Sequence, residues 1–291
     1  MQTGLEQAKN MTVGIIGLGL IGGSIARALK ERFRVRIVAY DTSEQVLLTA
    51  RHNDIADETV TEIGAAFTAC DIVFLSAPAS HNLFNMRIVM PYIAPDAILT
   101  DVTSVKLPLH RLAEEMHAGM RFVGGHPMAG KERGGLQYAE ASLFEGARYI
   151  LTTSARTDGL RVEKMKKLVT ALGAVPQVMQ PEDHDRAVAA ISHLPHVVSA
   201  ALVNTVSEND DARATMRQLA AGGFKDLTRI SSSPPELWRQ ITLLNAPQIS
   251  LFLEELIAKL KRVQKSLDRS DQGALMRLFQ EAKEYRDSLG E

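Results

Sequence analysis

Short apolar runs alternate with longer mixed segments from Met11 to about residue 180. The apolar runs predict strands at 12–16, 36–40, 72–77, 97–101, 121–124, 149–152 and 175–179. The mixed segments between the first strands, such as 22–31 and 43–52, carry apolar residues at helical spacing. Strands and helices in alternation predict a parallel, doubly wound sheet.

The pattern changes after Pro181, where strand signals end and apolar residues recur every three or four positions. The clearest stripe comprises Ile249, Phe252, Leu253, Leu256, Leu260, Val263 and Leu267. A second stripe comprises Leu275, Leu278, Phe279, Ala282 and Leu289. Such a stripe must be buried, either in a bundle within one subunit or against a partner subunit. We therefore expect an α/β protein with a Rossmann-type, mostly parallel sheet domain at 1–180. An all-α domain at 181–291 should dimerise.

Composition and charge narrow the class of protein. Hydrophobic residues make up 45% and charged residues 23% of the chain, which is typical of a soluble globular protein. The net charge of −1 gives no support to binding of nucleic acid or an anionic membrane. We find neither a signal-peptide pattern nor an apolar run long enough for a membrane span. The single cysteine, Cys70, begins a predicted strand and should be an inert thiol. We expect a cytoplasmic protein.

A glycine-rich segment at 17–24 follows the first predicted strand and opens a helix. This is the dinucleotide-binding pattern in the context it requires. Gly17 should permit the tight turn, Gly19 the approach of the pyrophosphate, and Gly22 the packing of helix against strand. The phosphates would then bind N–H groups at the helix N-terminus. The predicted cofactor-binding residues of this loop are Gly17, Leu18, Gly19, Leu20, Ile21 and Gly22.

Asp41 ends the next predicted strand and indicates which dinucleotide binds. A carboxylate at this position can accept from both ribose hydroxyls of NAD and would repel the 2′-phosphate of NADP. The alternative is a structural turn with a solvated aspartate, and we favour NAD. Further residues at strand ends should line the same crevice, although each could be plain loop: Ser76, Ala77, Pro78 and Thr103.

His126 follows another predicted strand, at the edge of the sheet where the nicotinamide should lie. An imidazole there can take the proton of a substrate hydroxyl while hydride leaves the same carbon. A lone histidine in a loop rich in glycine and proline is more often structural, but its place at a strand end favours catalysis. His193 and His196 flank Pro195 and do not form a helical zinc pair, so we predict no metal site.

Two polar groups in the helical half are further candidates. Ser192 and His196 lie one helical turn apart on one face. A segment that begins with two glycines, at 222–229, places Asp226 three residues before Arg229. These two residues would form either a local helix ion pair or an arginine held in place to bind a carboxylate.

Taken together, these motifs resemble the prephenate dehydrogenases. The resemblance rests on the loop at 17–24, Gly-Gly-His-Pro-Met at 124–128, Ser-His-Leu-Pro-His at 192–196, Gly-Gly-Phe-Lys-Asp-Leu-Thr-Arg at 222–229 and Pro-Glu-Leu-Trp at 235–238. From Met11 onward, the order and spacing of these motifs match those of the prephenate dehydrogenases. The resemblance implies a nucleotide-binding domain followed by a helical dimerisation domain.

The resemblance also implies roles for individual residues. His126 would be the catalytic histidine, and Ser104 would orient it. Arg229 would hold a substrate carboxylate. Residues expected around the rest of the substrate are His196, Trp238, Lys131 and Ser192. Glu132 and Asp226 would form an ion pair that controls access to the site.

The implied reaction is the oxidative decarboxylation of prephenate to 4-hydroxyphenylpyruvate, a step in tyrosine biosynthesis. Hydride would leave ring carbon C4 for NAD⁺ while His126 accepts the hydroxyl proton. The C1 carboxyl group would then leave as CO₂, and aromatisation would drive the step. The ring itself serves as the electron sink, so the enzyme has mainly to align the substrate and stabilise developing charge.

Three alternatives remain open from the sequence. Arogenate dehydrogenase acts on a substrate with an ammonium group where prephenate has a keto group. Lys131 would repel that ammonium, and His196 and Trp238 fit the prephenate pattern better. A β-hydroxyacid dehydrogenase shares the nucleotide fold but uses a lysine in its helical domain. A non-enzymatic NAD-binding sensor is the third.

Overall fold

The computed structural model describes residues 11–131 and 133–290, and an eight-stranded sheet forms its first part. The strands are β1 Thr12–Ile16, β2 Arg36–Tyr40, β3 Glu58–Val60, β4 Ile72–Leu75, β5 Ile98–Asp101, β6 Phe122–Pro127, β7 Arg148–Thr152 and β8 Val175–Met179. Their order across the sheet is β3-β2-β1-β4-β5-β6-β7-β8, and neighbours run parallel except β6 and β7. The predicted mostly parallel, doubly wound sheet is confirmed.

Helices cover both faces of the sheet: α1 Leu20–Arg32, α2 Glu44–His52, α3 Ala79–Val89, α4 Leu107–Glu115 and α5 Gly159–Ala171. Because side chains alternate along a strand, Ile15 and Ile16 of β1 enter different cores. The Ile15 side is covered by α1, α2 and α5, and the Ile16 side by α3 and α4. Cys70 lies buried in the second core, where burial raises its thiol pKa to about 12.

Apart from shifts of one residue at strand starts, the strands differ from the prediction in three places. The short edge strand β3 was missed, since its residues Glu58–Val60 carry little apolar signal. Strand β4 ends at Leu75, two residues before the predicted end at 77. Strand β6 extends to Pro127, so His126 lies inside a strand and pairs with Ile150 of β7. The glycines and proline around His126 look like loop residues in the sequence, but the antiparallel partner β7 keeps the backbone extended.

Helices make up the chain after Pro181, as predicted. They are α6 Pro181–Val188, a π-helical turn Ala189–His193, α7 Leu194–Asn209, α8 Thr215–Leu219, α9 Gly222–Thr228, α10 Pro235–Leu244, α11 Ala246–Asp268 and α12 Gln272–Ser288. The two glycines at 222 and 223 form the first turn of α9. The N–H of Lys225 donates to the carbonyl of Ala221 at 3.1 Å, and this bond completes the first helical turn.

The apolar stripes of the last two helices lie on the surface of the single chain. Leu260 and Leu267 of α11 are 57% and 59% exposed, and Phe279 of α12 is 70% exposed. Ile249 is the one buried residue of α11. The chain alone therefore does not bury the surface that the sequence pattern requires to be buried.

The continuous helical segment Pro181–Asn209 is long and apolar enough to cross a membrane by length and composition alone. Core helices of globular proteins pass the same test, so this segment is weak evidence for a membrane span. The segment also packs into the protein. Its buried His184 forms a hydrogen bond with β6, and its buried Asp185 forms one with the start of α4.

Candidate active site

The glycine-rich loop joins β1 to α1 with the geometry that a dinucleotide needs. Gly17 has φ +102°, which a side chain would strain, and its N–H donates to the Tyr40 carbonyl at 2.8 Å. A Cβ at Gly22 would lie 2.1 Å from the Gly17 carbonyl oxygen. Only glycine at these two positions lets α1 start this close to β1.

The space in front of α1 fits a phosphate group. Gly19 caps the helix without a side-chain hydrogen bond, and a Cβ placed on it would meet nothing within 4 Å. The N–H groups of a helix's first turn have no partner within the helix. This end of α1 therefore offers an open cradle of donors to a pyrophosphate.

Asp41 lies beside the same loop, directly after β2. Its Oδ2 accepts from the N–H of Leu18 at 2.8 Å, and its Oδ1 accepts from the N–H of Ser43 at 2.9 Å. These bonds hold the carboxylate in place, and each oxygen keeps a lone pair for a further donor. The group fits ribose hydroxyls, as NAD binding requires.

The other residues predicted in the crevice differ in what they can offer a ligand. Ser76 has a buried hydroxyl without a hydrogen-bond partner within 11–131 and 133–290, so it can serve a bound molecule. Ala77 follows it, and Pro78 precedes α3. The Thr103 hydroxyl instead donates to the Asp101 carboxylate at 2.5 Å, and this buried bond stabilises the loop after β5.

A buried ion pair connects the ends of β5 and β6. Lys106 and Asp101 are both 0% exposed in their side chains, and the Lys106 ammonium donates to the Asp101 carboxylate. Lys106 also donates to the Gly125 carbonyl at 2.5 Å, and Gly125 N–H donates to Asp101 at 3.1 Å. Burial lowers the pKa of Lys106, and the Asp101 carboxylate opposes this shift. The pair fixes the backbone of β6 immediately before His126.

His126 is the first member of a chain of hydrogen bonds that crosses from the sheet to α6. Its Nδ1 lies 2.8 Å from Nε2 of His184, and Nδ1 of His184 lies 2.8 Å from Oδ1 of Asp185. The Asp185 carboxylate also accepts from the N–H of Lys106 at 2.8 Å and of Leu107 at 2.9 Å. Within the described part of the chain, the contact to His184 is the one hydrogen bond of the His126 ring.

The protonation state of His126 suits a base. Burial lowers its pKa well below the ordinary value, and electrostatic interactions with His184, Lys106 and His193 lower it further. The ring is therefore neutral at neutral pH and can accept a proton. Burial also lowers the pKa of His184, while its bond to Asp185 opposes the shift.

The structure brings three predicted substrate residues together on the helical side. The His196 ring stacks on Trp238 with centroids 3.4 Å apart and planes 19° apart. His196 Nδ1 donates to the Ser192 carbonyl at 2.9 Å, so Ser192 supports the ring through its backbone. His193 is buried beside them, and its Nδ1 lies 3.1 Å from the amide nitrogen of Asn245.

The remaining predicted residues are less closely tied to this centre. Ser104 is half-buried in the loop before α4, and its hydroxyl has no hydrogen bond to the described residues. Arg229 and Asp226 are exposed at the end of α9. Lys131 pairs with Glu140 at 2.8 Å. Glu132 lies outside the described residues, so the gating ion pair with Asp226 stays a prediction.

Sequence reasoning missed His184, Asp185, Lys106 and Asp101. The available signal was His184-Asp185 in the first helix after β8. Glu182 and Asp183 precede this pair in the first turn of α6, where acidic residues are common because they favour the helix dipole, and this obscured the signal. The Lys106–Asp101 pair is five residues apart in sequence and becomes visible only when β5 and β6 are neighbours.

The fold and the site together define a dinucleotide-dependent dehydrogenase. A glycine-rich phosphate cradle and a neutral histidine lie at the same edge of one mostly parallel sheet. Family models identify the group: the nucleotide-binding domain of prephenate dehydrogenase matches residues 25–178, and the prephenate dehydrogenase dimerization domain matches residues 180–281. The chain belongs to the prephenate dehydrogenase family and is an NAD-dependent oxidoreductase. The alternatives of a β-hydroxyacid dehydrogenase and a sensor thereby lose their support.

Individual relatives extend along nearly the whole chain. Prephenate dehydrogenase of Bacillus subtilis is 35% identical over 288 residues, which is 98% of this chain and 77% of the relative. The structure of prephenate dehydrogenase from A. aeolicus with hydroxyphenyl propionate and NAD⁺ has a TM-score of 0.90 at 33% identity, covering 96% of this chain and 98% of that one. Synechocystis arogenate dehydrogenase has a TM-score of 0.85 at 31% identity, covering 96% of this chain and 100% of that one.

Proposed function

We propose that this protein catalyses the NAD-dependent oxidative decarboxylation of prephenate to 4-hydroxyphenylpyruvate. The observation that carries the proposal is the neutral imidazole of His126 near the carboxyl end of β6. Strand β6 runs parallel to β5, and β5 is connected through β4 to β1 in parallel order. His126 and the glycine-rich loop after β1 therefore occupy the same edge of the sheet, where open α/β sheets bind their ligands.

The reaction divides between the cofactor and the protein. The loop at 17–22 and Asp41 would hold NAD⁺, which when bound would supply the acceptor for hydride from ring carbon C4. His126 takes the proton of the C4 hydroxyl on its ring nitrogen Nε2. Loss of the C1 carboxyl group as CO₂ makes the ring aromatic and pulls the reaction forward.

The substrate is held mainly from the helical side. Arg229 binds a carboxylate of prephenate, because its guanidinium offers two parallel donors. The stacked rings of His196 and Trp238 provide a flat surface for the substrate side chain, supported by Ser192. Ser104 orients His126 as substrate binds, and Lys131 contributes positive charge near the anionic substrate.

The two parts of the chain have different tasks in this proposal. Residues 1–180 bind the dinucleotide, and residues 181–291 bind substrate and join two copies into a homodimer. Glu132 and Asp226 control access to the site. The enzyme acts in the cytoplasm on a small molecule, in tyrosine biosynthesis, without a nucleic-acid or membrane partner.

Arogenate is the second candidate substrate. Lys131, expected to repel its ammonium group, has its charge balanced by Glu140 at 2.8 Å. The likeness to Synechocystis arogenate dehydrogenase supports the same alternative. We favour prephenate because His196 and Trp238 together fit the prephenate pattern better, and the two rings are stacked in this structure.

Initial rates of NADH formation test the proposal. Prephenate and arogenate are each supplied with NAD⁺ and with NADP⁺, and the organic product is identified by mass spectrometry. Prephenate with NAD⁺ should react fastest and yield 4-hydroxyphenylpyruvate. A faster reaction with arogenate would establish the second candidate. Absence of turnover with both compounds would refute the proposed function.

A further inference from the structure

We propose that His184 and Asp185 are positioning residues that hold His126 in the tautomer with the proton on Nδ1, and that they share the charge when His126 accepts the substrate proton. The inference deepens the proposed function and rests on it. It assigns a role to the two buried polar residues of α6 that lie closest to the base.

The direction of each hydrogen bond follows from the chemistry of its partners. The Asp185 carboxylate can only accept, so His184 donates to it from Nδ1. In neutral His184 the other nitrogen, Nε2, then carries a lone pair and accepts from Nδ1 of His126. The proton of neutral His126 is thus fixed on Nδ1. Its Nε2 is left with the lone pair that a general base needs.

Asp185 is itself held rigidly, which is what makes it an effective anchor. Its side chain is 3% exposed and accepts from two backbone N–H groups at the start of α4, those of Lys106 and Leu107. Its own carbonyl accepts from the Asn245 amide at 2.8 Å. The carboxylate therefore cannot rotate away without leaving buried donors unpaired, which is energetically unfavourable.

The same chain of bonds offers the positive charge a better location. When Nε2 of His126 takes the hydroxyl proton, the proton on its Nδ1 can pass to Nε2 of His184. The cation then lies on His184, next to the Asp185 carboxylate. Charge left on His126 would instead lie near the ammonium of Lys106, although Asp101 balances that ammonium. Burying a charge beside its counterion costs far less than burying it alone.

The arrangement spans both parts of the molecule. His126 belongs to β6 of the sheet, whereas His184 and Asp185 belong to α6, the first helix after it. The base is therefore correctly protonated only when α6 is docked against the sheet.

Nitrogen NMR of histidine side chains tests the tautomer directly in the wild-type protein. Protein labelled with ¹⁵N-histidine is compared with His126→Asn to assign the His126 signals. The inference expects Nδ1 of His126 to be protonated and Nε2 to carry the lone pair at neutral pH. Protonation on Nε2 instead would overturn it.

Kinetics of His184→Phe test the consequence for catalysis. This change keeps a buried ring but removes the acceptor for His126. The turnover number with prephenate should fall by about 10²-fold, as expected when a base loses its tautomer control, while KM for both substrates stays within about threefold. His184→Gln restores an acceptor and should recover part of the loss.

His110→Phe is the matched control. His110 is also buried and hydrogen-bonded, to Thr152 at 2.8 Å, and it packs edge-on against Phe122. This variant should lose stability but keep the wild-type turnover number. A turnover number of His184→Phe within about twofold of the wild type would contradict the inference. If His184→Phe does not fold, or if the wild type oxidises neither cyclohexadienol, the NMR tautomer still decides for or against the proposed positioning.

Discussion

The two parts of the chain differ in how they bury their apolar residues. The sheet part encloses two apolar clusters, and every member of both lies before residue 180. Among the described residues after that point, the buried hydrophobic ones are Val188, Ala189, Ile241 and Ile249. The sheet part folds around its own core, whereas the helical part leaves its apolar stripes outside. The homodimer that we propose would account for this difference, because a second copy would cover the exposed stripes of the helical part.

The two sites differ in the same way. The cofactor site is made from backbone, namely a glycine turn and the N-terminus of α1. The substrate site that we propose is made instead from side chains contributed by several helices and one strand. We therefore expect changes in the helical part to affect assembly and substrate binding while NAD⁺ binding is preserved.

The largest effect should come from a charge in the exposed apolar stripe. Leu260→Asp on α11 should convert the dimer to monomers and make the helical part unstable, because a carboxylate would have to be buried in the interface. Light scattering after size-exclusion chromatography measures the mass. Leu160→Asp is the control, since Leu160 is 75% exposed but lies on α5 of the sheet part. Equal behaviour of the two variants would contradict the comparison.

Substitution of the base should have the next largest effect. His126→Asn keeps a hydrogen-bonding group but removes the proton acceptor, so turnover should fall by about 10²–10⁴-fold. NAD⁺ binding, followed by calorimetry, should be unchanged. A mutant with nearly normal turnover would exclude His126 as the base.

The pH dependence of the wild-type enzyme sharpens this test. Only the neutral imidazole accepts a proton, and burial places the pKa of His126 well below the ordinary value. The rate should therefore remain on its plateau around pH 6.5 and fall only in stronger acid. A decline that begins above pH 7 would show that the ring is not desolvated as described.

Arg229→Ala should act on substrate binding alone. Losing the contact to the carboxylate should raise KM for prephenate by about 30-fold, corresponding to about 2 kcal/mol for a guanidinium on the surface. Arg229→Lys should recover only part, because a point charge cannot make two parallel bonds. If both prephenate and NAD⁺ bind more weakly, or the protein unfolds, Arg229 is a structural residue.

The smallest effect is expected at the cofactor ribose. Asp41→Asn should weaken the binding of NAD⁺ by about tenfold. It should also improve the binding of NADP⁺, since repulsion of the 2′-phosphate is removed. The ratio of kcat/KM for the two dinucleotides measures this. Efficient use of NADP⁺ by the wild-type protein would show that Asp41 does not select the cofactor.

The sequence predicted features that depend on local patterns and missed features that depend on contacts between distant segments. The glycine turn, Asp41 and the change to helices after Pro181 are local patterns, and the structure contains all of them. The extension of β6 through His126 depends on pairing with β7, which is a contact between distant segments. The bonds from His126 to His184 also join residues far apart in sequence. No local pattern encodes such contacts.

The fate of the hydrogen on ring carbon C4 tests the central claim most directly. Prephenate carrying deuterium at C4 is incubated with the enzyme and NAD⁺, and the reduced cofactor is analysed by mass spectrometry together with the released CO₂. The account predicts that the reduced cofactor carries the deuterium and that one CO₂ forms for each reduced cofactor. Reduced cofactor without deuterium, or reduction without loss of CO₂, would contradict it.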